Sequence, residues 1–400
     1  MLTPNYVRFP CYDPRVSGEK SFKWSVALIL FGVLFLGVSD TQLVGPLLPA
    51  IAQDLQTTAG RAGIIVTTYS LAAAAFALIV GPLSDRVGRK KVLISGLALF
   101  AGASFLTYHV SSFNALVIVR AMTGFAAGTL STCALSFAGD YYPYEQRGRA
   151  MGVLSMGYFV AFVIGVPAGA LAASRLGWHW VFGCLSAAAG LMFAIAISAL
   201  PSDRAKGPLR RDRTFLDHFR KRDRVAGMAA AFLTSGGVVG FLTYVGAWLR
   251  NSYNMGLDRI GLLFMVSGIA AVAASPLSGW LADHAGKRNV IIWANLILAV
   301  LFVIVSRSNL GIGLILGIAA VSIAASARQA PLHALTTEIV GPEIRGEYIA
   351  VRNAASQVGI AVVAAVSASA FDIGGFTAVA VIAALATVLI PLSCVWLKEP

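Results

Sequence analysis

The chain has 400 residues, of which 58% are hydrophobic and 12% are charged, and it carries a formal net charge of +13. About 25% of the residues of an ordinary soluble domain are charged, so this composition argues against a soluble protein. The positive charge alone would suit a nucleic-acid-binding protein, but its distribution along the chain has another explanation, given below.

Long apolar stretches separated by short polar segments fill the chain from residue 24 onwards. A helix needs about 20 apolar residues to cross a bilayer, and twelve stretches come close to or exceed that length. We therefore predict an all-α membrane protein with twelve transmembrane helices, numbered here spans 1 to 12. In chain order they cover residues 24–48, 60–82, 92–110, 114–138, 149–173, 179–200, 225–249, 259–281, 290–306, 309–335, 349–371 and 374–397.

The lysine and arginine residues are divided unequally between the two sides of the predicted membrane. With the amino terminus placed inside, the inner segments hold 23 of the 31 basic residues and the outer segments hold 5. Such an excess of positive charge marks the cytoplasmic side of a membrane protein. The sequence therefore predicts a multi-pass protein of the cell inner membrane with both termini in the cytoplasm, and no nucleic-acid partner.

Two signatures of ten residues end spans 2 and 8 and lie 198 residues apart. The first, Gly-Pro-Leu-Ser-Asp-Arg-Val-Gly-Arg-Lys, begins at Gly81, and the second, Gly-Trp-Leu-Ala-Asp-His-Ala-Gly-Lys-Arg, begins at Gly279. The same offset aligns Asp140 with Glu338. A parallel repeat of six spans, with its axis along the membrane normal, is typical of one class of alternating-access transporters.

This repeat predicts a division of the chain into four parts. They are a cytoplasmic amino-terminal segment (1–23), an amino-terminal six-helix bundle (24–200), a basic cytoplasmic linker (201–224) and a carboxy-terminal six-helix bundle (225–400). The two bundles are expected to face each other and to be related by pseudo-symmetry.

The signature that begins at Gly81 resembles the loop signature of the major facilitator superfamily over its whole length. Residues 120–128, Arg-Ala-Met-Thr-Gly-Phe-Ala-Ala-Gly, look like a second motif of that family, and residues 165–169, Gly-Val-Pro-Ala-Gly, resemble its antiporter motif. Among subfamilies, the chain looks like the twelve-helix bacterial drug:proton antiporters of the sugar, purine and chloramphenicol efflux branch. It departs from the antiporter motif, in which Gly and Pro are adjacent and a Gly-Gly pair is present, and this departure leaves the direction of transport open.

The resemblance implies a gate of charged residues at the inner ends of the spans. Gly81 would let spans 2 and 11 approach closely, Gly88 would allow a turn with positive φ, and Asp85 would face the amino terminus of a neighbouring helix. Arg89 would reach Asp140 and latch the outward-facing form; the alternative is a turn whose charges only set the topology. The gate and its copy in the second half comprise Gly81, Asp85, Arg86, Gly88, Arg89, Asp140, Arg147, Asp283, Glu338 and Arg345.

Asp40 and Arg120 are ionisable residues that lie at membrane depth in spans 1 and 4. At 1.5 Å per residue, Asp40 lies roughly 24 Å from the inner end and Arg120 roughly 9 Å from the outer end, so their depths agree. A charge in hydrocarbon costs at least about 2.5–3.5 kcal/mol, which favours a pair. We expect Asp40 to shed a proton when paired and to take one when separated and desolvated, and this change would couple protons to transport. A static ion pair that fixes helix packing is the alternative.

Polar residues of spans 10 and 11 are the candidates for binding the cargo. Arg328, as a buried cation, would suit an anionic or carbonyl-bearing molecule, whereas Arg352 is expected to extend to the inner surface. His333 is expected to fill space rather than to relay protons. The substrate-binding candidates are Arg328, Gln329, Asn353 and Gln357.

Small residues recur every four positions in span 5 and form one face for close helix contact. Pro167 is expected to bend this helix, and plain packing and a functional hinge remain alternative roles for the face. The packing or hinge residues are Gly157, Gly165, Pro167 and Gly169.

The sequence contains no phosphate-binding loop, catalytic spacing or metal-ligand cluster that would indicate an enzyme or a cofactor. We therefore predict a proton-coupled secondary transporter that exports a small organic molecule, such as a drug, a sugar or a nucleobase-like compound, by alternating access. Its expected partners are that molecule, protons and membrane lipids, and a monomer is expected. A proton-coupled metabolite uptake symporter and a lipid flippase on the same fold are the alternatives.

Overall fold

The computed structural model describes residues 22–202, 219–340, 345–394 and 396. These ranges are almost entirely helical and contain no strand. Residues 1–21 of the predicted amino-terminal segment and residues 203–218 of the predicted linker lie outside the described residues.

The first half of the chain contains six membrane-spanning helices, and each is long and apolar enough to cross a bilayer. Span 1 is Trp24–Asp54, span 2 is Ala59–Ala62 with Ile64–Val87, span 3 is Arg89–Tyr108, span 4 is Phe113–Tyr141, span 5 is Tyr144–Val160 with Ala161–Gly165 and Val166–Leu176, and span 6 is Trp178–Ala199.

The second half repeats this arrangement. Span 7 is Arg222–Tyr253, span 8 is Leu257–Ala285, span 9 is Lys287–Ser306 and span 10 is Ile312–Ala327 with Gln329–Glu338; spans 11 and 12 lie within Arg345–Val388, which the short helix Ile390–Cys394 follows.

Spans 11 and 12 are two helices joined by a break at one residue. The apolar segment Glu347–Cys394 has 48 residues, and a straight helix of that length would extend about 72 Å, more than twice the thickness of the hydrocarbon core. Gly375 has φ 65° and ψ −164°, which interrupts the helix, and glycine adopts such a conformation at little steric cost. The predicted fold of twelve transmembrane helices is confirmed.

A single glycine ends one span and begins the next in both signatures. Gly88 has φ 105° and precedes span 3, and Gly286 has φ 84° and precedes span 9. These two residues are 198 apart, as are the first residues of spans 3 and 9. Both turns lie at the same end of the molecule, which we call the signature end; the opposite end is called the far end.

The two halves meet closely at the far end. A Cβ atom placed on Gly246 of span 7 would lie 2.9 Å from the Cα atom of Pro46 in span 1. A Cβ atom placed on Gly261 of span 8 would lie 2.6 Å from the Cβ atom of Ala170 in span 5. Because real Cβ atoms do not approach so closely, the helices can touch here only with glycine at these positions.

The halves separate at the signature end between spans 5 and 8. Span 8 packs against Ala161–Gly165 and Val166–Leu176 of span 5, but it makes no comparable contact with Tyr144–Val160. A Cβ atom placed on Gly81 or Gly279 would meet no atom within 4 Å. Alongside this opening, spans 2 and 11 stay in contact nearer the middle of the bundle. The molecule is therefore closed at the far end and open at the signature end.

Span 5 is not a regular α-helix, because residues Ala161–Gly165 form a π turn. The turn lies immediately before Pro167, where we expected a bend. Proline has no N–H group to donate to the preceding turn, and π turns occur where the regular hydrogen-bond ladder is interrupted. The helix is thereby divided into two pieces with different neighbours.

Candidate functional site

Asp40 of span 1 and Arg120 of span 4 form an ion pair in the interior of the first half. The distance from Nη1 of Arg120 to Oδ1 of Asp40 is 2.8 Å, and the side chains of Asp40 and Arg120 are 0% and 1% exposed. The structure therefore brings together the two residues whose depths suggested a pair. Two opposite charges removed from water in this way stabilise each other more strongly than they would at the surface.

Aromatic side chains enclose the guanidinium of this pair. The Cζ atom of Arg120 lies 4.8 Å from the ring centroid of Tyr69 and 5.7 Å from that of Phe182. The Tyr69 hydroxyl in turn accepts a hydrogen bond from Thr41, the residue after Asp40, with an oxygen–oxygen distance of 2.7 Å. The cation thus has an anion on one side and aromatic rings on others, and both attract it electrostatically.

The ion pair leaves hydrogen-bonding capacity unused. Oδ2 of Asp40 and Nε of Arg120 are both buried and have no hydrogen-bond partner among the described residues. A buried polar atom without a partner is uncommon in proteins and often marks a functional group. The free carboxylate oxygen is a site at which a proton could bind without displacing the arginine from the other oxygen.

Arg328 is a buried cation, as expected, and its hydrogen-bond partners lie within its own bundle. It is 1% exposed, and it donates hydrogen bonds within the second half, to the side-chain oxygen of Asn295 in span 9 and to the carbonyl of Thr234 in span 7 at 3.1 Å. In this state the side chain of Arg328 is therefore directed into its own bundle, and its role in cargo binding stays a prediction.

Arg352 is also buried rather than extended to the inner surface, and this corrects the expectation for that residue. Its side chain is 4% exposed and its Nη1 lies 3.1 Å from Nδ1 of His333 in span 10. The remaining candidates have accessible side chains: Gln329 and Asn353 are exposed, and Gln357 is partly exposed. Their role in binding cargo stays a prediction.

Arg89 joins two carboxylates at the signature end. Its Nη2 atom lies 2.9 Å from Oδ1 of Asp85, and its Nε atom lies 2.6 Å from Oδ2 of Asp140 in span 4. The second half has a simpler copy, because Nζ of Lys287 lies 2.6 Å from Oε1 of Glu338. The residues of the copy are each 198 positions beyond Arg89 and Asp140.

The other predicted gate residues lie apart from these ion pairs. Arg86 and Asp283 are exposed and have no ion-pair partner among the described residues, and the side chain of Arg345 lies outside them. Gly81 faces open space, so the close approach of spans 2 and 11 expected at this residue is absent in this state. Asp85 likewise contacts Arg89 and not the described part of span 11.

Arg147 connects the gate to the beginning of span 1. Its Nε atom donates to the carbonyl oxygen of Tyr142 at 3.0 Å, and the Tyr142 hydroxyl donates to the carbonyl oxygen of Lys23 at 2.7 Å. Burial, and to a smaller extent the neighbouring Tyr141, raises the pKa of Tyr142 to about 12. The phenol therefore remains a neutral donor over the physiological pH range.

The small residues of span 5 face span 1. A Cβ atom placed on Gly157 would lie 3.2 Å from the carbonyl oxygen of Phe31. Gly165 and Gly169 lie in the same way against Ser39 and Leu43. This contact places the π turn beside the residue that precedes Asp40.

Sequence reasoning assigned no role to Asn295, Thr41 or Asp372, although each makes a contact across helices. Asn295 and Thr41 are polar residues within apolar spans, and that signal was available. Asp372 is an exposed acid near the end of a span, which looks like a solvated charge in the sequence.

A duplicated bundle of twelve spans, closed at one end and open at the other, is the architecture of a secondary transporter. The family model described as Major Facilitator Superfamily matches residues 30–258 and 227–400. The chain belongs to the major facilitator superfamily, a family of transporters, and it is a multi-span membrane transporter.

Several relatives of known name resemble the chain. It is 28% identical over 277 residues to the MFS-type transporter YceJ of Bacillus subtilis (strain 168), covering 68% of this chain and 71% of the relative. It is 28% identical over 262 residues to a chloramphenicol resistance protein of Streptomyces lividans, covering 64% and 66%. It is 29% identical over 287 residues to the purine ribonucleoside efflux pump NepI of Shigella dysenteriae, covering 72% and 70%.

Two solved structures have the same fold. A crystal structure of the D-xylose-proton symporter has a TM-score of 0.78 and 16% identity, and it covers 92% of this chain and 97% of the other. A crystal structure of a point mutant of the nucleoside transporter NupG has a TM-score of 0.77 and 14% identity, and it covers 93% and 100%.

Proposed function

We propose that this protein is a proton-coupled secondary transporter that exports a small organic molecule from the cytoplasm by alternating access. The observation that carries the proposal is the buried Asp40–Arg120 pair, in which one carboxylate oxygen has no partner. A carboxylate that changes its partner between two conformations can bind a proton in one and release it in the other.

In the proposed cycle, the signature end lies on the cytoplasmic side and the structure is the inward-facing form. Cargo enters between spans 5 and 8 and contacts the accessible polar groups of Gln329, Asn353 and Gln357. The two halves then rock relative to each other. Asp40 takes a proton from the outer side while the cargo leaves and releases it to the cytoplasm on return.

The gate residues at the signature end would close when the molecule opens outward. Spans 2 and 11 would then approach at Gly81, and Asp85 would turn from Arg89 towards the amino terminus of span 11. The Arg89–Asp140 contact, which we expected to latch only the outward-facing form, is already formed in this state. In this proposal it therefore holds the loop in both states, and Lys287–Glu338 does the same in the second half.

The named relatives support an uncharged organic cargo. One is a chloramphenicol resistance protein and another is a purine ribonucleoside efflux pump. We propose that the cargo of this chain is a molecule of comparable size that offers hydrogen bonds to amide side chains rather than a full charge. Arg328 is already engaged within its bundle, so in this state it is not free to bind an anionic group.

Transport by the purified protein in liposomes tests this proposal. With an acidic lumen, an antiporter accumulates labelled chloramphenicol or inosine, and one proton per cargo supports up to about tenfold accumulation per pH unit. Asp40→Asn should reduce this accumulation to background while the protein remains folded. The control is Asp258→Asn, which alters an exposed acid at the far end. Accumulation at the wild-type level by Asp40→Asn would contradict proton coupling through this residue.

Uptake by proton symport is the second candidate, and the sequence of residues 165–169 favours it because it departs from the antiporter motif. The same vesicles distinguish the two directions. A symporter accumulates cargo when the lumen is alkaline relative to the medium, whereas an antiporter does so when the lumen is acidic.

A further inference from the structure

Asp372 is a residue of span 11 whose carboxylate connects the two halves at the far end. Its Oδ2 atom accepts a hydrogen bond from Oγ1 of Thr58 at 2.7 Å, and its Oδ1 atom accepts one from the backbone nitrogen of Gly60 at 3.1 Å. Thr58 and Gly60 begin span 2, so one side chain of the second half holds two donors of the first half.

The two donors lie at the amino-terminal end of span 2, where Thr58 is the N-cap residue. The Thr58 hydroxyl caps the helix by accepting from the backbone nitrogen of Arg61 at 3.0 Å, while its own proton is directed to Asp372. The first N–H groups of a helix have no partner within the helix, and they carry partial positive charge. The carboxylate of Asp372 therefore supplies an acceptor and an opposite charge that the first half lacks at this point.

The amino-terminal turn of span 2 is closely packed against its neighbours. A Cβ atom placed on Gly60 would collide with the carbonyl oxygen of Ala368 and with the Asp372 carboxylate, and one placed on Gly63 would collide with the Tyr244 ring. Tyr244 is itself held by a hydrogen bond from its hydroxyl to the carbonyl of Ala364 at 3.1 Å. The amino-terminal turn of span 2 thus packs directly on spans 7 and 11.

At the other end of the same two spans, the corresponding contact is absent. Asp85 near the end of span 2 is paired with Arg89 of its own half, and Gly81 has no neighbour within 4 Å of an added Cβ atom. Spans 2 and 11 are therefore joined through an acid at the far end, whereas towards the signature end Leu78 of span 2 still packs against the second half but Gly81 meets open space.

We propose that Asp372, together with Thr58 and the backbone of Gly60, is the latch that keeps the far end closed. Opening of the far end requires both hydrogen bonds to break, so the latch sets the balance between the two conformations. This inference rests on the proposed alternating-access function, and it assigns a gating role to a residue outside the signature loops. Asp372 is a positioning residue, because it acts on helix arrangement and not on the cargo.

Distance measurements between spin labels at positions 175 and 307 test the latch. Both positions are exposed at the far end, one in each half, and native cysteines are replaced in the labelled protein. A carboxylate at a helix amino terminus contributes about 0.3–1 kcal/mol, so Asp372→Ala should raise the ratio of far-end-open to far-end-closed molecules about two- to fivefold. Labels at positions 91 and 289 should report the matching closure of the signature end.

A matched pair of substitutions separates the hydrogen bond from a change of packing. Thr58→Val removes the hydroxyl and should shift the balance towards the open far end, whereas Thr58→Ser keeps the hydroxyl and should restore the wild-type distances. Asp258→Asn, at the same end, should leave them unchanged. Thermal unfolding in detergent verifies that each variant is folded.

The latch would be overturned if Asp372→Ala and Thr58→Val both retained the wild-type distances, or if Asp258→Asn shifted them equally. These measurements need no cargo and no proton gradient. A failed latch therefore leaves gradient-driven transport by the unaltered protein intact, and failed proton coupling leaves the distance shifts intact.

Discussion

Arg120 of the first half and Arg328 of the second half are both almost fully buried, but they lie at different positions and have different partners. In the first half, Arg120 is paired with the carboxylate of Asp40. In the second half, Arg328 is bonded to the amide of Asn295 and to the carbonyl of Thr234. Within the described residues, no carboxylate lies within ion-pair distance of Arg328.

The 198-residue offset shows that these two sites are not copies of each other. The positions that correspond to Asp40 and Arg120 are Val238 and Ile318, and those that correspond to Arg328 and Asn295 are Leu130 and Leu97. The helical frame is duplicated, whereas the buried polar groups are not. In our proposal, the first half therefore carries the proton and the second half holds its arginine as a fixed part of the bundle.

The largest expected loss of stability comes from replacing Arg120 with isoleucine, the residue at the corresponding position of the second half. Arg120→Ile leaves Asp40 buried without its cation, and breaking a buried pair in this way costs about 3–5 kcal/mol. Denaturant unfolding of the detergent-solubilised protein measures this loss. The double variant Asp40→Val/Arg120→Ile should recover most of the stability yet lack gradient-driven transport. Wild-type stability of Arg120→Ile would show that the pair does not hold the bundle.

A smaller loss of stability is expected when Asn295 is replaced by leucine, the residue at the corresponding position of the first half. Asn295→Leu leaves a donor of Arg328 without its acceptor, which costs about 1–3 kcal/mol. Arg328→Leu/Asn295→Leu should regain that stability and keep proton-driven transport, as measured in the vesicle assay. Loss of cargo binding by the folded double variant would instead restore the binding role that the sequence suggested for Arg328.

The smallest loss of stability is expected at the signature end, where each half has an ion pair at corresponding positions. Lys287→Ala removes a partly exposed contact with Glu338 and should cost at most about 1 kcal/mol of unfolding free energy. Arg89→Ala should cost more, since Arg89 contacts both Asp85 and Asp140. Equal losses in the two variants would show that the second contact of Arg89 contributes nothing to stability.

The spans and the central ion pair were predictable because each leaves a local signal in the sequence. Hydropathy alone locates the helices, and the duplicated signatures at Gly81 and Gly279 divide them into two sets of six. Asp40 and Arg120 stand out because charge is costly at membrane depth, and their depths agree.

The direction of the Arg328 side chain could not be predicted, because it depends on which neighbouring helices its own helix faces. Burial of Arg328 suggested a cargo site, but a polar residue in a span can equally bond to another span of its own bundle. The contact of Asp372 with Gly60 joins residues 312 positions apart. No local pattern marks such a pair, since an acid at a helix end is normally solvated.

The π turn in span 5 inserts extra backbone between two pieces that have different neighbours. A regular α-helix rotates about 100° per residue, so removing one residue from Ala161–Gly165 would turn the Tyr144–Val160 piece by about that angle relative to Val166–Leu176. Its small residues would then leave span 1, and other side chains would face Asp40. The length of this one turn therefore sets which side chains of span 5 lie beside Asp40.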